Sequence, residues 1–233
     1  MPYKDVFKFV LAVAFTFALG PTTVVWGQPG GPPPPLTGPP GGPRAELGAG
    51  DINLAASRVY IFVDKTGFGH QHGVEGRLRE GRLFLSGRRA GRLVFDMMSF
   101  RADTPLARRS VGLKGEIDEK TQQDVTDTML GPDILDVKRF PVASFEVESF
   151  QLLERRDRRG RPQYRLEGEF QLHGAKRPLR FAAEGFEERG HLHIKGNFHL
   201  KQTDYKIPPY RKALGTVGVA DVLTVYGDIW IKK

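Results

Sequence analysis

From Tyr164 to Leu172 the chain reads Tyr-Arg-Leu-Glu-Gly-Glu-Phe-Gln-Leu, and from Leu223 to Ile231 it reads Leu-Thr-Val-Tyr-Gly-Asp-Ile-Trp-Ile. In both stretches every second residue is apolar or glycine. A period of two sends alternate side chains to opposite faces of an extended chain, so each stretch is expected to be a strand with one face in a core. The same spacing recurs in Val59, Ile61 and Val63, in Leu83 and Leu85, and in Leu93, Phe95 and Met97. It continues through Phe145 and Val147, then Leu179, Phe181 and Ala183, then Leu192, Ile194, Gly196, Phe198 and Leu200. Short alternating runs with close-set turns predict an all-β, antiparallel sandwich or barrel.

Turn residues fall between the runs. Glu80-Gly81, the Arg-rich stretch between Gly87 and Gly91, Arg159-Gly160, His173-Gly174-Ala175-Lys176 and Glu188-Arg189-Gly190 each read as a hairpin-length join. Gly168, Gly196 and Gly227, inside strands, fit bends or bulges in a curved sheet. One segment departs from the pattern. Asp118 to Leu130 is polar, with Val125 and Met129 four apart, Asp118 as an N-cap and Gly131-Pro132 as a stop. It predicts an inserted helix whose Val125 and Met129 face the core and cover one mouth of a barrel.

The N-terminus is of a different kind. Lys4 and Lys8 precede an apolar run from Phe9 to Leu19, followed by Pro21 and by Val25-Trp26-Gly27. A charged start, a short apolar run and a small-residue exit read as a secretory signal over residues 1–27. An uncleaved anchor is the alternative, although the run falls short of the roughly 20 residues that span a bilayer. Residues 28–50 are mostly Pro and Gly, with too little apolar side chain to offset ordering entropy, and read as an extended linker. The folded domain is then expected over residues 51–233, in a periplasmic or secreted location.

The chain has no cysteine, which excludes thiolate zinc sites, c-type haem attachment and a thiol nucleophile. Its net charge of +8 raises the question of nucleic acid. Much of that charge is local, however, in Arg155, Arg156, Arg158, Arg159 and Arg161, without interleaved aromatics. A solvated hairpin tip accounts for it, and contact with an anionic membrane surface stays open. Elbow, zincin and phosphate-loop signatures are absent, so no catalytic residue is assigned. Glu167 and Glu169 read as a solvated strand face.

Four blocks, in order, resemble one known family. Asp64…Gly67-Phe68-Gly69-His70 with Val74-Glu75-Gly76 is similar to the opening of YceI-like domains, and Leu93 to Asp103 continues it. Met129-Leu130-Gly131…Ile134-Leu135-Asp136-Val137-Lys138-Arg139-Phe140-Pro141…Ser144-Phe145 resembles that family's helix-to-strand block. Leu166-Glu167-Gly168-Glu169-Phe170-Gln171-Leu172-His173-Gly174…Arg177-Pro178-Leu179 resembles its hairpin. The resemblance implies an eight-stranded, lipocalin-like barrel that carries a long polyisoprenoid or similar lipid in an apolar tunnel. It implies no catalysis and no cofactor besides the lipid. Phe95, Phe145, Phe170, Phe181 and Phe198 are the expected ligand-binding residues, with His70 and His72 meeting a head group at the mouth. Pairing of two copies is left open.

Two departures stand out. His70-Gln71-His72 is richer in histidine than the family's opening, and Pro208-Pro209-Tyr210 is bulkier than its usual loop. His-x-His pairs on a strand share a face, so His70/His72 and His191/His193, with Asp64 or Asp204, offer a metal site as the alternative function. Otherwise His191, His193 and His199 are expected to face water, opposite Leu192, Ile194 and Phe198. A third alternative is an interaction module with a filled barrel.

Overall fold

The computed structural model describes residues 47–233; the expected signal and nearly all of the linker lie outside the described residues. Strand β1 (Arg58–Gly67) leads into β2 (His72–Leu83) and β3 (Gly91–Ala102). Two helices follow, α1 (Pro105–Ser110) and α2 (Glu119–Leu130). Then come β4 (Val142–Arg156), β5 (Pro162–Leu172), β6 (Ala175–Glu188), β7 (His191–Lys201), the two-residue β8 (Arg211–Lys212) and β9 (Val217–Lys232). Every pairing is antiparallel, and β1 pairs with β9 as well as with β2, which closes β1 to β7 and β9 into a ring of eight strands. Strand β8 lies outside the ring, paired with β9. Closure leaves no long free edge and gives an interior of about one small ligand.

The alternation carries into the packing. Leu93, Phe145, Phe170, Leu166, Ile194, Val225 and Ile229 face inward and form one core cluster. The outward residues form ion pairs instead: across strands Arg180 with Glu167, Lys176 with Glu169 and Arg92 with Glu146, and along β5 Arg165 with Glu167. These are exposed pairs of small energetic weight.

The joins at His173-Gly174 and Arg189-Gly190 are two-residue hairpins in which both residues have positive φ (49° and 74°, 50° and 73°). Such turns match the twist of the flanking strands, and glycine in the second position removes the steric cost. Gly168 sits where the β4–β5 register shifts between Val147 and Ser149; a Cβ there would lie 2.0 Å from the Glu146 carbonyl oxygen. Gly196 and Gly227 behave differently from expectation. They pair with each other in an unbroken β7–β9 register, so they mark no bulge, and both face the barrel interior.

Two other expectations are corrected. Glu80-Gly81 is no turn: β2 runs through it, with a register shift between Leu78 and Glu80, and the chain reverses only at Phe84–Ala90. The inserted helix is joined by a second, α1, capped by the Thr104 hydroxyl, which accepts from Ala107 N, and opened by Pro105.

The barrel ends differ. At one end the segment before β1 crosses the opening: Gly50 N donates to Lys232 O, Ile52 bridges Ile231, and Ile52 is 2% exposed. Among the described residues ahead of Asp51, Gly48 N donates to Asp51 Oδ2 at 2.8 Å. At the other end lies α2, capped by Asp118, which accepts from Thr121 N at 3.0 Å. Its Thr126 hydroxyl accepts from Ala102 N at the end of β3, and Val125 and Met129 pack on the core.

Candidate functional site: an apolar barrel cavity

The interior holds a cavity of about 350 Å³. All five expected phenylalanines line it: Phe95, Phe145, Phe170, Phe181 and Phe198. Phe170 is the centre of this group. Its ring lies 6.2 Å from Phe95, 6.5 Å from Phe145, 6.4 Å from Phe198 and 5.7 Å from Tyr205, all edge-on. Edge-to-face rings hold one another in place, so the wall is preformed. Phe100, Phe150, Leu83, Ile207 and Tyr210 also line the cavity and were missed in the sequence. Phe100 was obscured because Met97 and Phe100 both face inward, three apart, which breaks the period of two. The facing glycines, Gly196 and Gly227, are part of the wall too, and the side chains they lack add width.

Polar lining residues gather toward α2. Asp124 and Thr128 are exposed there, and His72 stands at the start of β2. The cavity is therefore apolar in depth and polar at the α2 end. The floor, lined by Phe150, Ile194, Ile229 and Ile231, lies under the segment that carries Ile52.

The two histidines of the Gly-rich loop part company. His70 is exposed and is not among the lining residues, whereas His72 lines the cavity with its side chain 20% exposed. The His72 Nδ1–H donates to Asp103 Oδ2 at 2.6 Å. Asp103, 2% exposed and with φ of +56°, also accepts from Gly73 N at 3.1 Å and from Arg108 on α1 at 3.0 Å. Burial pushes the Asp103 carboxyl up. The hydrogen bond and charge of His72, the Gly73 N–H and Arg108 outweigh that push and hold it below the ordinary value. The imidazole is thereby fixed in one orientation, with Nε2 left for other partners.

Among the described residues, no group of three or more His, Cys, Asp or Glu side chains is placed to hold a metal ion. Asp64 is instead bonded to Gln71 and to the Lys65 N–H. His193 corrects the expectation that the β7 histidines face water. It lies on the outer face yet is 4% exposed, stacked on Trp230 at 3.7 Å and close to Phe186 at 4.8 Å, with Nε2–H donating to Asp228 at 2.6 Å. Cross-strand aromatics bury it, a contact set by the His193–Trp230 register.

Comparison with known proteins adds the following. The model of the YceI-like domain family matches residues 51–229. No curated protein matches. Among solved structures, a polyisoprenoid binding domain from Saccharophagus degradans, implicated in plant cell wall breakdown, aligns with a TM-score of 0.53 at 12% identity, covering 79% of this chain and 99% of that one. BcnA of Burkholderia cenocepacia aligns with a TM-score of 0.52 at 14% identity, covering 78% of this chain and 100% of that one.

Proposed function

The chain belongs to the YceI-like domain family, and on that premise we propose that it is an exported, non-catalytic carrier of a long-chain polyisoprenoid or similar amphiphilic lipid. The observation that carries this reading is the aromatic-walled cavity, apolar through its depth and polar only toward α2. Each methylene moved from water into such a space gains about 0.8 kcal/mol, so a long tail needs few polar contacts to be held. The polyisoprenoid-binding fold neighbour supports the same ligand class. Export is supported by the charged, then apolar, N-terminal stretch from Lys4 to Leu19. The tail occupies the barrel between Phe95, Phe170 and Phe198, and the head group stays near His72, Asp124 and Thr128.

Gly227 supplies the test. A Cβ there meets nothing nearer than Ile229 Cγ1 at 3.9 Å, so Gly227→Leu fills the cavity without backbone conflict. Native mass spectrometry of gently prepared protein should find a bound lipid in the parent. In Gly227→Leu, occupancy should fall roughly tenfold or more, with no loss of thermal stability relative to delipidated parent. A parent that never carries lipid, or a variant that carries as much, would remove the basis for this function. Stoichiometric zinc or copper lost in His70→Ala/His72→Ala would favour metal binding instead.

A further inference from the structure

Two loops project beyond the rim of the barrel at the α2 end. One joins β1 to β2; the other follows β8 and turns into β9. They are held side by side: Gly67 pairs with Val217, and Phe68 N donates to Thr216 O at 3.0 Å. Each carries a large apolar side chain in water. Phe68 is 85% exposed and Leu214 is 107% exposed, the two most exposed large hydrophobic residues among those described. The Leu214 loop holds this posture in an unfavourable backbone. Ala213, Leu214 and Gly215 are consecutive with φ of 51°, 55° and 88°, a region that residues with a Cβ adopt at a cost.

The charges within the two loops are of one sign. Lys65, Lys206, Arg211 and Lys212 are exposed, and residues 65–72 and 206–218 contain no carboxylate. Asp64, just inside the first loop, is the nearest acid in sequence and is occupied by Gln71 and the Lys65 N–H. Other acidic side chains of this end lie off the two loop tips: Asp204 is exposed two residues before Lys206, Asp221 on β9 accepts from Thr203, and Glu119, Asp124 and Asp127 belong to α2, which is bonded to β3 through Thr126. Directly below the two loops, Val63, His72, Tyr210 and Val219 line the cavity.

We propose that the Phe68 and Leu214 loops form a docking surface for an anionic lipid bilayer, with both side chains inserted at the interface and the flanking cations on lipid phosphates. Apolar side chains at the tips of loops, framed by basic residues, combine the two terms that hold a protein on such a surface. A second protein would require an apolar patch wide enough to pack, whereas two isolated projections suit a fluid interface. Docking by these loops turns the α2 end, and with it the cavity, toward the membrane. Docking holds whether or not the cavity takes a lipid, and native mass spectrometry reads the latter separately.

The absence of cysteine makes the test local. In the full chain, Leu214→Cys labelled with an environment-sensitive dye reports this loop and not the N-terminal apolar stretch. Arg158→Cys, at the tip of the β4–β5 hairpin, reports the opposite end, where the Arg155–Arg161 cluster and exposed Leu85 are the rival surface. Vesicles of phosphatidylcholine with phosphatidylglycerol should shift the emission of the dye at 214 to the blue. Phosphatidylcholine alone, or salt at about 1 M, where screening acts within about 3 Å, should weaken that response. Phe68→Ser in the same background should lower apparent vesicle affinity roughly tenfold, with an unchanged melting temperature since the ring packs on little. An equal or larger response at 158, no response at 214, or an affinity indifferent to Phe68→Ser overturns the proposal.

Discussion

Asp103 is the residue on which the rim beside the cavity depends. It accepts from His72, from Gly73 N and from Arg108, whose other donors hold the carbonyls of Lys114 and Gly115. One buried carboxylate therefore ties β2, α1 and the loop after α1 together. Its folded pKa lies below the ordinary value, so by linkage its stabilising contribution is fully present above about pH 4 and is lost as pH falls through the folded pKa. Asp103→Asn leaves Arg108 buried without its counter-charge, and a loss of about 3 kcal/mol or more is expected in urea unfolding at neutral pH. The gap to the parent should narrow below about pH 4. A gap that stays constant down to about pH 3 would show that the charge of Asp103 does not stabilise the fold. His72 was recognisable in the sequence as part of an unusual loop. Its partner was not, because Asp103 lies just past the end of β3, 31 residues away, and nothing local links the two.

Among the elements, α2 was the most legible and α1 the least. The Asp118 cap, the Val125–Met129 spacing and the Gly131 stop all act within one or two turns, so sequence reasoning reaches them. Helix α1 has six residues, too few for an apolar period, and its Thr104-Pro105 start was its only local signal. What anchors α2 is tertiary: the Thr126 hydroxyl, 2% exposed, accepts from the last N–H of β3. Thr126→Val removes that acceptor and leaves a buried donor unpaired, which should cost about 1–3 kcal/mol in denaturant unfolding. If α2 gates the mouth through Val125 and Met129, the same variant should release a fluorescent lipid faster in stopped-flow displacement. Unchanged release with reduced stability would separate the anchoring role from the gating one.

At the scale of the molecule, a carrier that binds its lipid only when folded must be stabilised by it. At ligand concentrations about a hundred times Kd the gain is about 2.7 kcal/mol. For a domain of this size that corresponds to a rise of roughly 5–10 °C in melting temperature. Loaded and delipidated protein should differ by this amount in calorimetry, and Gly227→Leu should show no such difference. Equal melting temperatures for the loaded and delipidated parent would mean that the lipid is not held by the folded barrel. Closure depends on the β1–β9 ladder, from Arg58 opposite Asp228 to Gly67 opposite Val217, which joins the two ends of the domain. Such long-range pairing comes late, since its loop entropy must be met before the contacts form, and slow folding follows.

The alternating runs, the two-residue turns and the α2 cap belong to the sequence alone, because each rests on forces between residues a few positions apart. The inward phenylalanines were legible for the same reason: parity along a strand assigns a face. Register was not legible. It places Gly196 opposite Gly227 and widens the cavity, puts Trp230 over His193 and buries a histidine that parity had sent to water. It also carries β2 through Gly81, where a local signal had suggested a turn. Those outcomes depend on which strands meet and at which residue, and that is decided only when the whole sheet closes on a common core.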